Sequence, residues 1–186
     1  MRVLSICVGR PREVQSHGQT VLSSIMKSPV TGPVIVKTLN LEGDQQSDLT
    51  VHGGANKAVY VYPSEHYAFW RDELPGVALP WGAFGENLTT EGLLEDTTHV
   101  GDRLRIGSAE CVVTVPRMPC YKLAMHFDRP DIIKRFLRSG RSGFYLAVAE
   151  QGIIRAGDTV MRVSRESDAP TVAEAFHARR ERSAPP

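Results

Sequence analysis

Residues 101–122 read GDRLRIGSAECVVTVPRMPCYK, and this stretch sets the fold class. Residues 102–106 and 111–115 are rich in β-branched and aliphatic side chains, and Gly107, Ser108 and Ala109 between them have the composition of a turn, which predicts a hairpin. The order of turn then strand returns at Gly157 and Asp158, ahead of a strand-like run over 159–163, and residues 144–148 supply another strand between the two. Toward the N-terminus, residues 58–62 alternate valine and tyrosine as a strand does. Pro63 and Ser64 end that run, with Ser64 placed as an N-cap for a short helix over 65–70. Residues 34–39 and 3–8 also read as strands, the latter stopped by Gly9, Arg10 and Pro11.

The clearest helix spans 130–137. Pro130 suits a first turn, Ile132, Ile133, Phe136 and Leu137 share one face, and Gly140 can terminate it. Frequent, short, turn-punctuated strands with only two or three helices between them predict a mainly β chain, a mostly antiparallel β-barrel or closed sheet rather than a doubly wound fold. After Val163 the character changes. Ser167, Asp168, Ala169 and Pro170 form a linker, and Thr171 with Glu174 makes a capping box that opens one short helix. The chain thus divides into a core over 1–163 and a linker with a short C-terminal helix over 164–186.

A chain of 186 residues can hold one domain with a substantial core. The 22 Lys and Arg nearly cancel the 21 Asp and Glu, so no global field draws the protein to nucleic acid or to an acidic membrane face, and any anion site is local. The apolar run at the N-terminus is too short for a signal peptide or a membrane span, which predicts a cytoplasmic protein. Three cysteines without a Cys-x-x-Cys pair argue against a disulfide framework and a zinc ribbon.

Cys120 is the most reactive-looking residue. It follows Pro119 and lies between Arg117 and Lys122, a setting that favours thiolate, the form that attacks electrophiles and ligates soft metals. A free cysteine is also among the most often buried side chains and usually packs as a small hydrophobe, so Cys120 taken alone does not separate the two uses. Cys7 and Cys111 sit inside apolar strand-like runs and read as core residues.

Three loops could meet an anion. Residues 48–57, DLTVHGGANK, begin with His52 beside Gly53 and Gly54 and end in Lys57. Adjacent glycines let backbone N–H groups approach an anion and the lysine supplies a point charge, though the same residues also make a tight turn with a solvated lysine. In the second loop, residues 81–88, Glu86 and Asn87 suit either reading a polar ligand edge or anchoring neighbouring backbone. The third holds Arg141 in SGRSG, between the predicted helix and a strand. No P-loop, Gly-x-Ser-x-Gly elbow, His-Glu-x-x-His helix or Gly-x-Gly-x-x-Gly after the first strand is present, and the spacing of His52, His66 and Cys120 does not predict a zinc site.

Together, DLTVHGGANKAVYVY (48–62), GAFGENL (82–88), VGDRLRIG (100–107) and RMPCYK around Cys120 resemble the MOSC domain family in its stand-alone YiiM-like branch. With GRSGFYLAV and AGDTV after them, the likeness spans about residues 1–163. The resemblance implies a β-barrel-like domain and a molybdenum–pterin dithiolene cofactor ligated through Cys120. It makes His52, Gly53, Gly54, Lys57, Asn87 and Arg117, with Arg141 as a further cation, the residues that bind that cofactor. Relatives, including the mitochondrial amidoxime-reducing component, are associated with reducing N-hydroxylated compounds such as hydroxylamino purines. Such a reaction needs electrons, and a chain with three cysteines and no flavin, haem or iron–sulfur motif implies a separate flavin or iron–sulfur donor protein. A sulfur carrier with a persulfide on Cys120 and a non-catalytic cofactor- or anion-binding module are the alternatives. The branch commonly carries three C-terminal helices where this chain offers one.

Overall fold

A computed structural model describes residues 1–16, 19–47, 53–166 and 168–182. In chain order its elements are β1 (Arg2–Val8), β2 (Arg12–Ser16), β3 (Gln19–Ser23), β4 (Ser28–Pro29), β5 (Val34–Val36), a 3-10 turn (Ala55–Lys57), β6 (Val59–Pro63), α1 (His66–Glu73), β7 (Leu88–Glu91) and β8 (Arg103–Ile106). They continue as β9 (Ala109–Pro116), α2 (Tyr121–Phe127), α3 (Ile132–Ser139), β10 (Phe144–Glu150), β11 (Gly152–Ile154), β12 (Val160–Ser164) and α4 (Val172–Arg182).

Eight strands form one mixed sheet in the order β12-β8-β9-β10-β6-β7-β1-β4. The predicted hairpin is present: β8 pairs with β9 through Ile106 and Ala109, and β10 continues the sheet with Leu146 opposite Val113. Among the described residues only β6 and β7 run parallel, since α1 and the loop after it return the chain to the same end of the sheet. The protein is therefore mainly β, with four α-helices among the described residues. The expected barrel is not drawn by a continuous ladder. The sheet curls until β1 meets the segment before β12, with Val3 N–H donating to the Asp158 carbonyl at 2.9 Å and Gly157 N–H to the Val3 carbonyl at 2.7 Å, but the two edges share only an isolated Arg2–Thr159 bridge.

Period-2 alternation in β6 explains the two-part core. Val59 and Val61 point into an aliphatic cluster with Val3, Leu104, Val113 and Leu146, while Tyr60 and Tyr62 point to the opposite face, beneath Trp70 of α1, Phe84, Leu123 of α2 and Phe136 of α3. A strand buried on both faces reads as a continuous apolar run, which is why VYVY carries no polar position. Helices cover the aromatic face, and the functional loops emerge beside it.

Several local expectations hold and others shift. Gly140 caps α3 at φ +71°. The capping box of α4 forms, with Thr171 N–H donating to Glu174 Oε2 at 2.8 Å and Glu174 N–H to Thr171 Oγ1 at 3.1 Å. Val172 and Phe176 are fully buried, so α4 docks on the sheet. Ser64, however, does not cap α1. The N-cap is Glu65, without a side-chain cap bond, and Ser64 contributes only its carbonyl, to Tyr67 N–H at 3.0 Å. The strand expected over 34–39 is three residues long and pairs with β11 outside the main sheet. Among the described residues no helix is long and apolar enough to cross a membrane.

Candidate functional site

Where β9 ends at Pro116, the chain leaves the sheet and Arg117 turns inward. Its guanidinium lies 4.7 Å from the Tyr60 ring centroid and 5.7 Å from that of Phe136, donates to the Phe84 carbonyl, and reaches the Tyr60 hydroxyl at 3.3 Å. Arg117 is buried, and among the described residues no carboxylate pairs with it. An arginine cannot shed its proton at any ordinary pH, so this charge is held by two ring faces, a carbonyl and a hydroxyl rather than by a carboxylate. Three residues on, Cys120 precedes α2 in extended conformation, half-buried and within electrostatic reach of Arg117.

Cys120 opens onto a cleft of about 590 Å³, measured out to open solvent. Among the described residues its walls include Lys27, Lys57, Arg117 and Lys122 and one carboxylate, Asp44. That carboxylate is fully engaged: it pairs with Lys27 and accepts from Gly9 N–H at 2.8 Å and Asn87 Nδ2 at 2.9 Å. Burial lowers the Lys27 pKa, and the adjacent Asp44 opposes that shift. Lys122 donates to Ser47 Oγ at 3.0 Å, and Lys57 comes from the turn opened by Gly53 and Gly54. The described lining thus holds more cations than carboxylates around a thiol. Tyr60 and Tyr145 also border it, burial raises both phenol pKa values so that each stays protonated, and the Tyr60 hydroxyl donates to the Ser142 carbonyl at 2.8 Å.

The predicted residues separate into groups. Cys120, Arg117, Lys57 and Asn87 share the cleft. Asn87 is also a structural clamp: its Oδ1 accepts from Tyr60 N–H at 3.0 Å, and its Nδ2 donates to the Cys7 carbonyl at 3.2 Å as well as to Asp44. His52 lies outside the described residues. Arg141 borders a different groove with Lys134, Arg135 and Arg138, its guanidinium 3.9 Å from the Phe69 ring centroid. His66 pairs with Glu95 at 2.7 Å. Of the two uses open to Glu86, the structure displays anchoring. Its fully buried carboxylate accepts from Tyr67 Oη, Gly82 N–H at 2.8 Å, Phe84 N–H at 3.0 Å and Thr89 Oγ1 at 3.0 Å, tying the 82–87 loop into the shape that presents the Phe84 carbonyl to Arg117. Cys7 and Cys111 are buried, with thiols pushed up to about 11 and about 12 by burial.

Sequence reasoning missed Lys27, Asp44, Ser24 and Tyr145 as cleft residues. The first two stand 17 residues apart and meet only through the fold, with no local motif to announce them.

A thiol and excess cations on a curled, mainly β sheet define a class. The family model for the MOSC domain matches residues 48–161, and the chain belongs to the MOSC domain family. Within it the chain falls in the stand-alone YiiM-like branch. It is 41% identical over 165 residues to YiiM of Escherichia coli (strain K12), covering 88% of this chain and 73% of that protein. The crystal structure of YiiM from Geobacillus stearothermophilus matches with a TM-score of 0.80 at 35% identity, over 98% of this chain and 86% of the other. A protein of Gibberella moniliformis (strain M3125 / FGSC 7600) named as a reductase is 34% identical over 166 residues, 88% of this chain and 29% of that longer protein.

Proposed function

We propose that this protein is a cytoplasmic, molybdenum cofactor-dependent oxidoreductase that reduces N-hydroxylated compounds, hydroxylamino purines among them, with electrons from a separate flavin or iron–sulfur protein. The observation that carries this reading is the Cys120 cleft, where, among the described residues, a thiol shares the walls with Arg117, Lys57 and Lys122 and with one carboxylate, Asp44, already paired with Lys27. Membership of the MOSC family and likeness to a protein named as a reductase support an oxidoreductase.

The donor set fits the cofactor. A soft metal wants a thiolate, and an anionic dithiolene and a phosphate want cations and hydrogen-bond donors. Cys120 would ligate the metal, and Arg117, Lys57 and Lys122 would hold the anionic groups, with Gly53 and Gly54 shaping the turn that brings Lys57 in. When bound, the cofactor supplies the two electrons that, with two protons, convert an N-hydroxyl group to an amine and water. The protein's part is preorganisation. Arg117, fixed by the Phe84 carbonyl and two rings, does not reorient to meet negative charge. Tyr60 and Tyr145 keep their protons, and the Tyr60 hydroxyl, donating to the Ser142 carbonyl at 2.8 Å while accepting from Arg117, braces the guanidinium without adding an anion beside it. Glu86, enclosed by its four donors, is not a proton donor to substrate.

The test is molybdenum by elemental mass spectrometry and released-pterin fluorescence on wild type and Cys120→Ser, both produced in cells that make the cofactor. Near-stoichiometric metal and pterin in wild type are expected, with metal and turnover of an N-hydroxylated substrate lost in the variant while its circular dichroism is unchanged. Metal and pterin absent from both proteins would sink the proposal. A cyanide-labile gain of one sulfur on Cys120 by intact mass would replace it with the sulfur carrier.

A further inference from the structure

Three side chains of the described residues bury a hydroxyl without any hydrogen-bond partner: Ser24, Thr90 and Thr98. A buried hydroxyl is ordinarily satisfied, so each orphan calls for a cause. Of the three, Ser24 borders the Cys120 cleft, and only 9% of it is exposed.

The segment that follows Ser24 is tightly packed against neighbouring backbone. A Cβ on Gly85 would stand 2.8 Å from Ile25 Cγ1, one on Gly9 would stand 2.7 Å from the Met26 carbonyl oxygen, and one on Gly82 would stand 3.2 Å from the Lys27 carbonyl oxygen. Residues 25–27 therefore lie directly against three glycine backbones, and the pairing of Lys27 with Asp44 pins their far end. Ser24 thus opens a packed segment with its own hydroxyl unsatisfied, beside a cleft whose described lining holds more cations than carboxylates.

We infer that Ser24 is a ligand-binding residue of the Cys120 cleft, its hydroxyl donating to a phosphate oxygen of the bound ligand alongside the Arg117, Lys57 and Lys122 charges. Under the function proposed above, on which this rests, the phosphate is that of the pterin cofactor. A hydroxyl that meets its partner only in the complex adds to binding and nothing to the fold of the free protein. Removing it therefore separates the two: folding is unharmed or improved, and binding is weakened.

The experiment compares wild type with Ser24→Ala. Pterin retained through gel filtration is measured on protein from cofactor-making cells, and the melting temperature is measured on cofactor-free protein with and without inorganic phosphate. The cofactor-free variant is expected to melt at or above the wild-type temperature, while its pterin retention falls about tenfold, the usual effect of losing a hydrogen bond to a charged group. A cofactor-free variant that melts several degrees lower, or one that retains as much pterin as wild type, overturns the inference and leaves the proposed function standing. Wild type that retains no pterin refutes the proposed function, and the phosphate titration then decides the role of Ser24 by itself. Stabilisation of wild type by phosphate that is about tenfold weaker in the variant sustains it, and equal or absent stabilisation overturns it.

Discussion

Glu86 is the residue whose replacement the structure predicts most sharply. Its carboxylate is completely buried and receives four hydrogen bonds, from Tyr67 Oη, Gly82 N–H, Phe84 N–H and Thr89 Oγ1. In Glu86→Ala three of the four donors lose their acceptor, Tyr67 Oη keeping the Pro80 carbonyl at 3.3 Å, and each buried donor left unsatisfied costs about 1–3 kcal/mol. Water entering the vacated space recovers part of that, so a net loss on the order of 4 kcal/mol is expected, or a melting temperature lower by about 8–16 °C for a domain of this size. Glu86→Gln should lose less, roughly 2 kcal/mol, because its amide keeps one acceptor but turns an N–H group toward one of the donors. Urea unfolding of the cofactor-free proteins, monitored by tryptophan fluorescence, measures both. The Phe84 carbonyl holds Arg117, so Glu86→Gln should also retain less pterin than wild type even at a temperature where it is fully folded. If Glu86→Ala lies within about 0.5 kcal/mol of wild type, as a surface substitution would, the account of this carboxylate as the anchor of the 82–87 loop is refuted.

Gly85→Ala places a methyl group at φ +80° and 2.8 Å from Ile25 Cγ1, so it should cost about 1–3 kcal/mol in urea unfolding and lower pterin retention by displacing the cleft wall. Alkaline pH should destabilise the fold. The Cys7 and Cys111 thiols rise by burial from 9.0 to about 11 and about 12, so their contribution is complete below pH 9.0, where both states are protonated, and is lost as pH climbs toward the folded values. Each thiol then contributes a fall of up to about 1.4 kcal/mol per pH unit, and Cys111→Ala should flatten the curve of urea midpoint against pH. Thr171→Ala removes the Glu174 N–H cap and should cost about 1 kcal/mol, read as a lower thermal midpoint with cofactor retention unchanged.

Much of the local structure was legible because its causes are local. The hairpin follows from two β-rich runs around Gly107, the end of α3 from a glycine free to adopt φ +71°, and the start of α4 from Thr171 and Glu174 three positions apart. The α2 helix was missed because Pro119 and Cys120 interrupt the pattern just before it, and β7 because four residues, LTTE, are too few to show a period. The tyrosines of β6 signalled a strand but not that both its faces are buried, since alternation of two apolar residue types looks the same in either case.

The amino-acid order by itself determined which segments extend, where they turn, which thiol sits among cations, and the family that shares those motifs. These are properties of neighbours along the chain, governed by backbone sterics and side-chain period. Only the tertiary structure decided that Lys27 and Asp44 pair within the cleft, that Asn87 clamps the Cys7 backbone from 80 residues away, that Glu86 serves the loop, and that Arg141 borders another groove. A buried polar group takes its role from whichever partners the packed chain brings within hydrogen-bond reach, and those partners are set by strand order, which no local pattern encodes.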